Sequence, residues 1–117
     1  MQTTTKTKLW SLLLANLLFV GISFHAEAVT VRGARKCGDW VKNSSQKGIE
    51  MVTQEAWLMG YISGKAMSIG VDVLKQNELP SLSLWVDNYC KTNPLDDSSD
   101  AGEMLFFELK RRTGAGL

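Results

Sequence analysis

Between Val52 and Gln76 the apolar residues recur at helical rather than strand spacing. Trp57, Tyr61, Gly64, Ser68 and Val71 fall on one stripe, with Leu58, Ile62, Ile69 and Val73 on the stripe beside it. Together they cover more than half of a helix circumference, which predicts a central helix flanked on two sides. Gly60 and Gly64 interrupt it one turn apart. Glycine costs about 1 kcal/mol relative to alanine inside a helix, so the pair predicts a packing notch filled by a neighbouring helix or ring.

Three further helices complete the pattern. Cys37-Gly38-Asp39-Trp40-Val41-Lys42 reads as one or two turns with Trp40 facing inward, followed by a loop over Asn43–Gly48. Asn77-Glu78-Leu79-Pro80 breaks the central helix. Ser81 then reads as a cap ahead of Leu82, Trp85, Val86 and Tyr89 at helical spacing, and this helix stops before Asn93-Pro94. In the last segment, Asp100 and Glu103 have capping-box spacing. Ala101, Met104, Leu105, Phe107 and Leu109 form an apolar face, and Lys110, Arg111 and Arg112 sit where the helix dipole favours cations. No stretch alternates as a strand does. The expected fold is all-α, a small four-helix domain.

A different pattern occupies the N-terminus. Lys6 and Lys8 precede the apolar run Leu9–Phe24, and Ala26-Glu27-Ala28 supplies small residues for cleavage. This order is that of a secretory signal peptide. The run of about 16 residues falls short of the roughly 20 needed to span a bilayer. Residues 1–28 are therefore read as a cleaved signal peptide and 29–117 as a single helical domain, with Val29–Lys36 as a loosely ordered lead-in.

Export changes the chemistry available. Lys6, Lys8 and Glu27 leave with the signal, and the remaining charges balance. No basic excess is left for nucleic acid or for electrostatic attachment to a membrane, and no stable membrane insertion is expected after cleavage. The sole histidine, His25, leaves too, which removes imidazole from catalysis and metal binding. No metal or other cofactor is expected. Cys37 and Cys90 reach an oxidising compartment and should pair, joining the first helix to the third. Closing a loop of about 54 residues stabilises by roughly 4 kcal/mol in the chain-entropy model, which matters in a domain this small.

Catalytic motifs are weak. Gly60-x-x-x-Gly64-Lys65 is one residue short of a phosphate loop and lies mid-helix. Ser44-x-x-Lys47 lacks the companion motifs of serine–lysine enzymes, and Asn43-Ser44-Ser45 matches a glycosylation triplet that arises often by chance. A carboxylate pair from Glu50, Glu55, Asp72 and Asp87, with Trp57 and Trp85 as sugar platforms, would suit a small cell-wall hydrolase, the distant alternative. Core packing is the simpler role for Trp40, Trp57, Tyr61, Trp85 and Tyr89, and the protein is read as a non-enzyme.

Cys37-x-x-Trp40, Trp57-Leu-Met-Gly-Tyr-Ile-Ser-Gly64, Trp85-Val-Asp-Asn-Tyr-Cys90-Lys-Thr-Asn-Pro94-Leu and Leu105-Phe-Phe-Glu-Leu-Lys110 together resemble a group of small exported proteobacterial proteins. The layout is similar to the HdeA/HdeB periplasmic acid-stress chaperones and to Rap/Tai-type secretion immunity proteins. The resemblance implies a helical fold with one cross-helix disulfide, a periplasmic location in a Gram-negative bacterium, and protein partners rather than substrates. The first expectation is a chaperone type. Acid would protonate the carboxylates, and charge repulsion would loosen the packing or a homodimer and uncover apolar surface. Leu58, Ile62, Phe106 and Phe107 are the candidates for that surface. The alternatives are an immunity or inhibitor protein for a secreted or periplasmic hydrolase, and an accessory of a secretion or conjugation system.

Overall fold

The computed structural model describes residues 29–114. The signal-peptide reading of residues 1–28 lies outside the described residues. Four helices follow in order: α1 Cys37–Gln46, α2 Ile49–Ile69, α3 Leu79–Thr92 and α4 Ser98–Arg112. The only β pairing among the described residues is an isolated bridge between Lys36 and Asp97. No described helix is long and apolar enough to cross a membrane.

Local signals account for the helix ends, though at positions shifted from the expectations. α1 continues through Asn43–Gln46, which composition assigns to a loop. Tertiary contacts hold this last turn: Trp40 is fully buried, and Ser44 Oγ donates to Asp87 Oδ1 on α3 at 2.7 Å. Lys47 then turns left-handed, with φ 52°. α2 begins three residues before Val52 and stops at Gly70, well before Gln76. Gly70 adopts φ 67°, and the N–H of Val71 returns to the carbonyl of Ala66, which caps the helix in Schellman fashion. Val73 still enters the core, but from the turn after α2. α3 begins at Leu79, not after Ser81, with Glu78 as N-cap and Pro80 in the first turn. A proline there forfeits no helical hydrogen bond. In α4 the capping box is one turn earlier than expected: Asp97 accepts from the N–H groups of Ser99 and Asp100, and Asp100 accepts from the N–H of Asp97.

α1 packs on α3, α2 on α4, and α3 on α4, with α2 also touching α1 and α3. The Cys37–Cys90 disulfide joins α1 to α3 with Cα atoms 4.8 Å apart. Around it lie Trp40, Val86, Leu82, Leu58, Ile62 and Leu105, all buried. Trp57, Tyr61, Trp85 and Tyr89 are partly buried and pack against this core from its edge.

Two glycine expectations are corrected. A Cβ added at Gly60 or Gly64 would meet nothing within 4 Å, so these positions form no filled notch; they lie on an exposed side of α2. The close approach uses Gly102 of α4 instead, where a Cβ would come to 3.0 Å from Tyr61 Cδ1. The lead-in is also firmer than its composition suggests. Cys37 N–H donates to Asp96 O at 3.0 Å, Ser98 N–H to Arg35 O at 2.8 Å, and Trp57 Nε1 to Arg32 O at 2.8 Å.

Candidate functional site

α1, α2 and α3 converge on an open groove of about 480 Å³. Met51 is buried at the groove, whereas Val52 and Leu84 are 56% and 60% exposed on α2 and α3. Val52 is exposed because it lies off the stripe of α2 formed by Met51, Gln54, Leu58 and Ile62, which is the buried one. Leu84 is exposed because it lies off the face formed by Leu82, Val86 and Cys90. Exposed apolar side chains that share a concave surface are a usual mark of a contact site.

Polar groups flank this apolar strip in fixed positions. Ser83 Oγ donates to Glu55 Oε1 at 2.7 Å, tying α3 to α2. Asp87 takes Ser44 on one oxygen and Lys91 Nζ on the other, the latter at 2.5 Å. Burial pushes the Asp87 carboxyl up, but the hydrogen bonds from Lys91 and Ser44 outweigh it and hold the group below the ordinary range. It stays an anion, the opposite of the raised carboxyl a general acid needs. Lys47 adds an exposed cation at the same groove.

The expected site residues separate. Of the acids considered as a catalytic pair, Glu55 and Asp87 share this groove, Glu50 lines a second cleft with Trp57, and Asp72 lies near the end of α4. Trp85 stacks on Tyr89 at 5.7 Å, and Trp57 on Tyr61 at 5.2 Å. Of the candidate partner surface, Leu58, Ile62 and Phe106 are 0%, 0% and 4% exposed. They are core residues because they occupy the faces of α2 and α4 turned toward each other, and only Phe107 is on the surface. Among the described residues no group of three or more His, Cys, Asp or Glu could hold a metal ion.

A polar link elsewhere ties α2 to α4. Glu103 accepts from Tyr61 Oη at 2.9 Å and from Lys65 Nζ, and the Lys65 ammonium lies 5.0 Å from the Phe106 ring centre. Burial opposes ionisation of Glu103, yet the two donors hold its carboxyl below the ordinary range. Tyr61 is pushed up to about 12, first by burial and then by its bond to Glu103.

Sequence reasoning missed Val52, Leu84, Ser44 and Ser83. The available signal was Leu84, an apolar residue out of phase with its helix face. The serines carry no such signal, because their partners are 43 and 28 residues away. Compared with protein-family models, curated proteins and solved structures, the chain matches none.

Proposed function

We propose that this is a non-catalytic protein that binds another protein while folded, in the manner of an immunity or inhibitor protein, with the α1–α2–α3 groove as its contact surface. The observation that carries this reading is the pairing of Val52 and Leu84. Both are exposed across one groove whose polar groups, Glu55 and Asp87, are already anchored by Ser83 and Ser44. A surface ordered before binding loses little side-chain entropy on association. Exposed aliphatic groups beside fixed charges offer both contact area and orientation. The periplasm is the proposed location, on the strength of the N-terminal leader pattern.

The test is capture from a periplasmic extract at neutral pH with wild-type protein, Val52→Asp and Leu84→Asp. We expect one stoichiometric partner with the wild type, lost with either variant while helicity and melting temperature hold. Capture that survives both substitutions would overturn the groove assignment.

A second reading, the acid-released chaperone, has its own support. Glu103 and Asp87 join helices as anions, so strong acid removes links that hold Leu58, Ile62 and Phe106 inside. Light scattering and dye binding at about pH 2–3 read that release directly. A protein that stays compact there and protects no client from aggregation excludes this reading.

A further inference from the structure

A second cleft, of about 450 Å³, lies between the N-terminal arm, α1 and the first half of α2. It shares no lining residue with the groove above. We propose that it is a binding site for a pyranose saccharide.

Gln54 provides the first argument. It lines the cleft, is only 6% exposed, and its Oε1 is buried with no hydrogen-bond partner. A buried acceptor left unsatisfied costs about 1–3 kcal/mol, and a ligand in the cleft relieves that cost once the Gln54 side-chain amide turns its oxygen toward the opening. The other unpartnered buried side-chain atom among the described residues, Trp40 Nε1, belongs to a residue that does not line this cleft.

The second argument is the set of polar groups beside it. Arg35, Asp39, Asn43 and Glu50 all line the cleft, and among the described residues no side-chain hydrogen bond or ion pair engages any of them. Of the carboxylates elsewhere among the described residues, Glu55, Asp87, Asp96, Asp97, Asp100, Glu103 and Glu108 each accept a hydrogen bond, whereas Asp72 and Glu78, like Asp39 and Glu50, accept none. Here one cation, two anions and two amides converge without cancelling one another. Such a set can both donate to and accept from a neutral ligand rich in hydroxyl groups. A simple cation would leave Arg35 opposed, and a simple anion would leave Asp39 and Glu50 opposed.

The third argument is Trp57. Its indole forms part of the wall and is fixed by its bond to Arg32 O and by stacking on Tyr61. Gly33 presses so close that a Cβ there would lie 2.6 Å from Nε1. A rigid aromatic surface beside amides and carboxylates suits a sugar ring, whose C–H face is apolar and whose edge carries the hydroxyls. The site binds and orients the saccharide; no bond is made or broken there.

The experiment is a titration of the isotopically labelled, oxidised protein with two probes, the β-1,4-linked trisaccharide of N-acetylglucosamine and cellotriose, followed by amide and indole chemical shifts. Saturable shifts at the Trp57 indole N–H and the Gln54 side-chain amide with either probe are the expected result. Gln54→Leu, and separately the pair Asp39→Asn with Glu50→Gln, should weaken binding at least about tenfold. The last two positions are exposed, so that variant keeps the test valid if Gln54→Leu does not fold. No saturable shift up to about 10 mM of either probe, shifts centred away from the cleft, or an undiminished response in the Asp39/Glu50 variant would each overturn the proposal.

Discussion

At Gly33 the backbone has φ 85°, and a side chain there would run into the Trp57 indole. Both the left-handed conformation and the contact oppose any Cβ. Gly33→Ala should therefore destabilise by about 1–3 kcal/mol, read as a lower urea midpoint. Gly64 is the opposite case. Its helical position faces open space, so Gly64→Ala should stabilise by about 0.5–1 kcal/mol through helix propensity, measured the same way. Glu103→Gln removes the charge that holds both Tyr61 and Lys65. The pair is about one-third exposed, so screening limits the loss to about 1 kcal/mol. The more specific readout is the Tyr61 phenol, whose pKa should fall from about 12 toward its ordinary value in an ultraviolet titration.

Among the helices, α1 depends most on its neighbours. It has no side-chain cap and its last turn runs through Asn43, Ser44 and Ser45, none of them a strong helix former. It is held by the burial of Trp40, by the Ser44–Asp87 bond and by the disulfide to α3. The two cysteines stand 53 positions apart, and breaking their bond should cost roughly 4 kcal/mol. Reduction should therefore shift the denaturation midpoint sharply and release α1 first, which amide hydrogen exchange would show as early loss of protection over Cys37–Gln46. This dependence explains why composition alone placed a loop at Asn43–Gly48. Periodicity made α3 and α4 legible, since each has a clear apolar face. The capping box was missed by a turn because Asp97, Asp100 and Glu103 repeat the same acidic spacing. Only the position of Lys65 on α2 shows that Glu103 faces sideways and not back to the cap.

On the scale of the molecule, the charged and phenolic groups define a window of pH stability. Asp87, Asp97 and Glu103 are held below the ordinary carboxylate range. Their stabilisation is thus full above the unfolded pKa near 4 and is lost as pH falls through the folded values. Tyr61 and Tyr89 are both pushed up to about 12, Tyr61 chiefly by burial and Tyr89 chiefly by its bond to Asp96. The sign reverses for them: their contribution is complete below the unfolded pKa near 10 and declines as pH rises toward 12. Thermal melts across pH should show a plateau from about pH 5 to 10 with a decline on either side. A melting temperature that rises below about pH 4 would contradict the assigned bonds.

The sequence by itself determined the all-α class, the number of helices and the Cys37–Cys90 pairing. Helical periodicity is a local property, and two cysteines admit one pairing. Tertiary structure alone decided which apolar residues remain outside. Leu58 and Val52 lie on the same helix and have similar hydrophobicity, yet one is in the core and the other borders a groove. The difference is which side of α2 meets α4 and which side is left beside α1 and α3. The same placement aligned Ser44 with Asp87 and Ser83 with Glu55, and left Gln54 buried beside Trp57 without a donor. Contacts between residues distant in the chain have no period to reveal them, so both candidate surfaces appear only once the helices are packed.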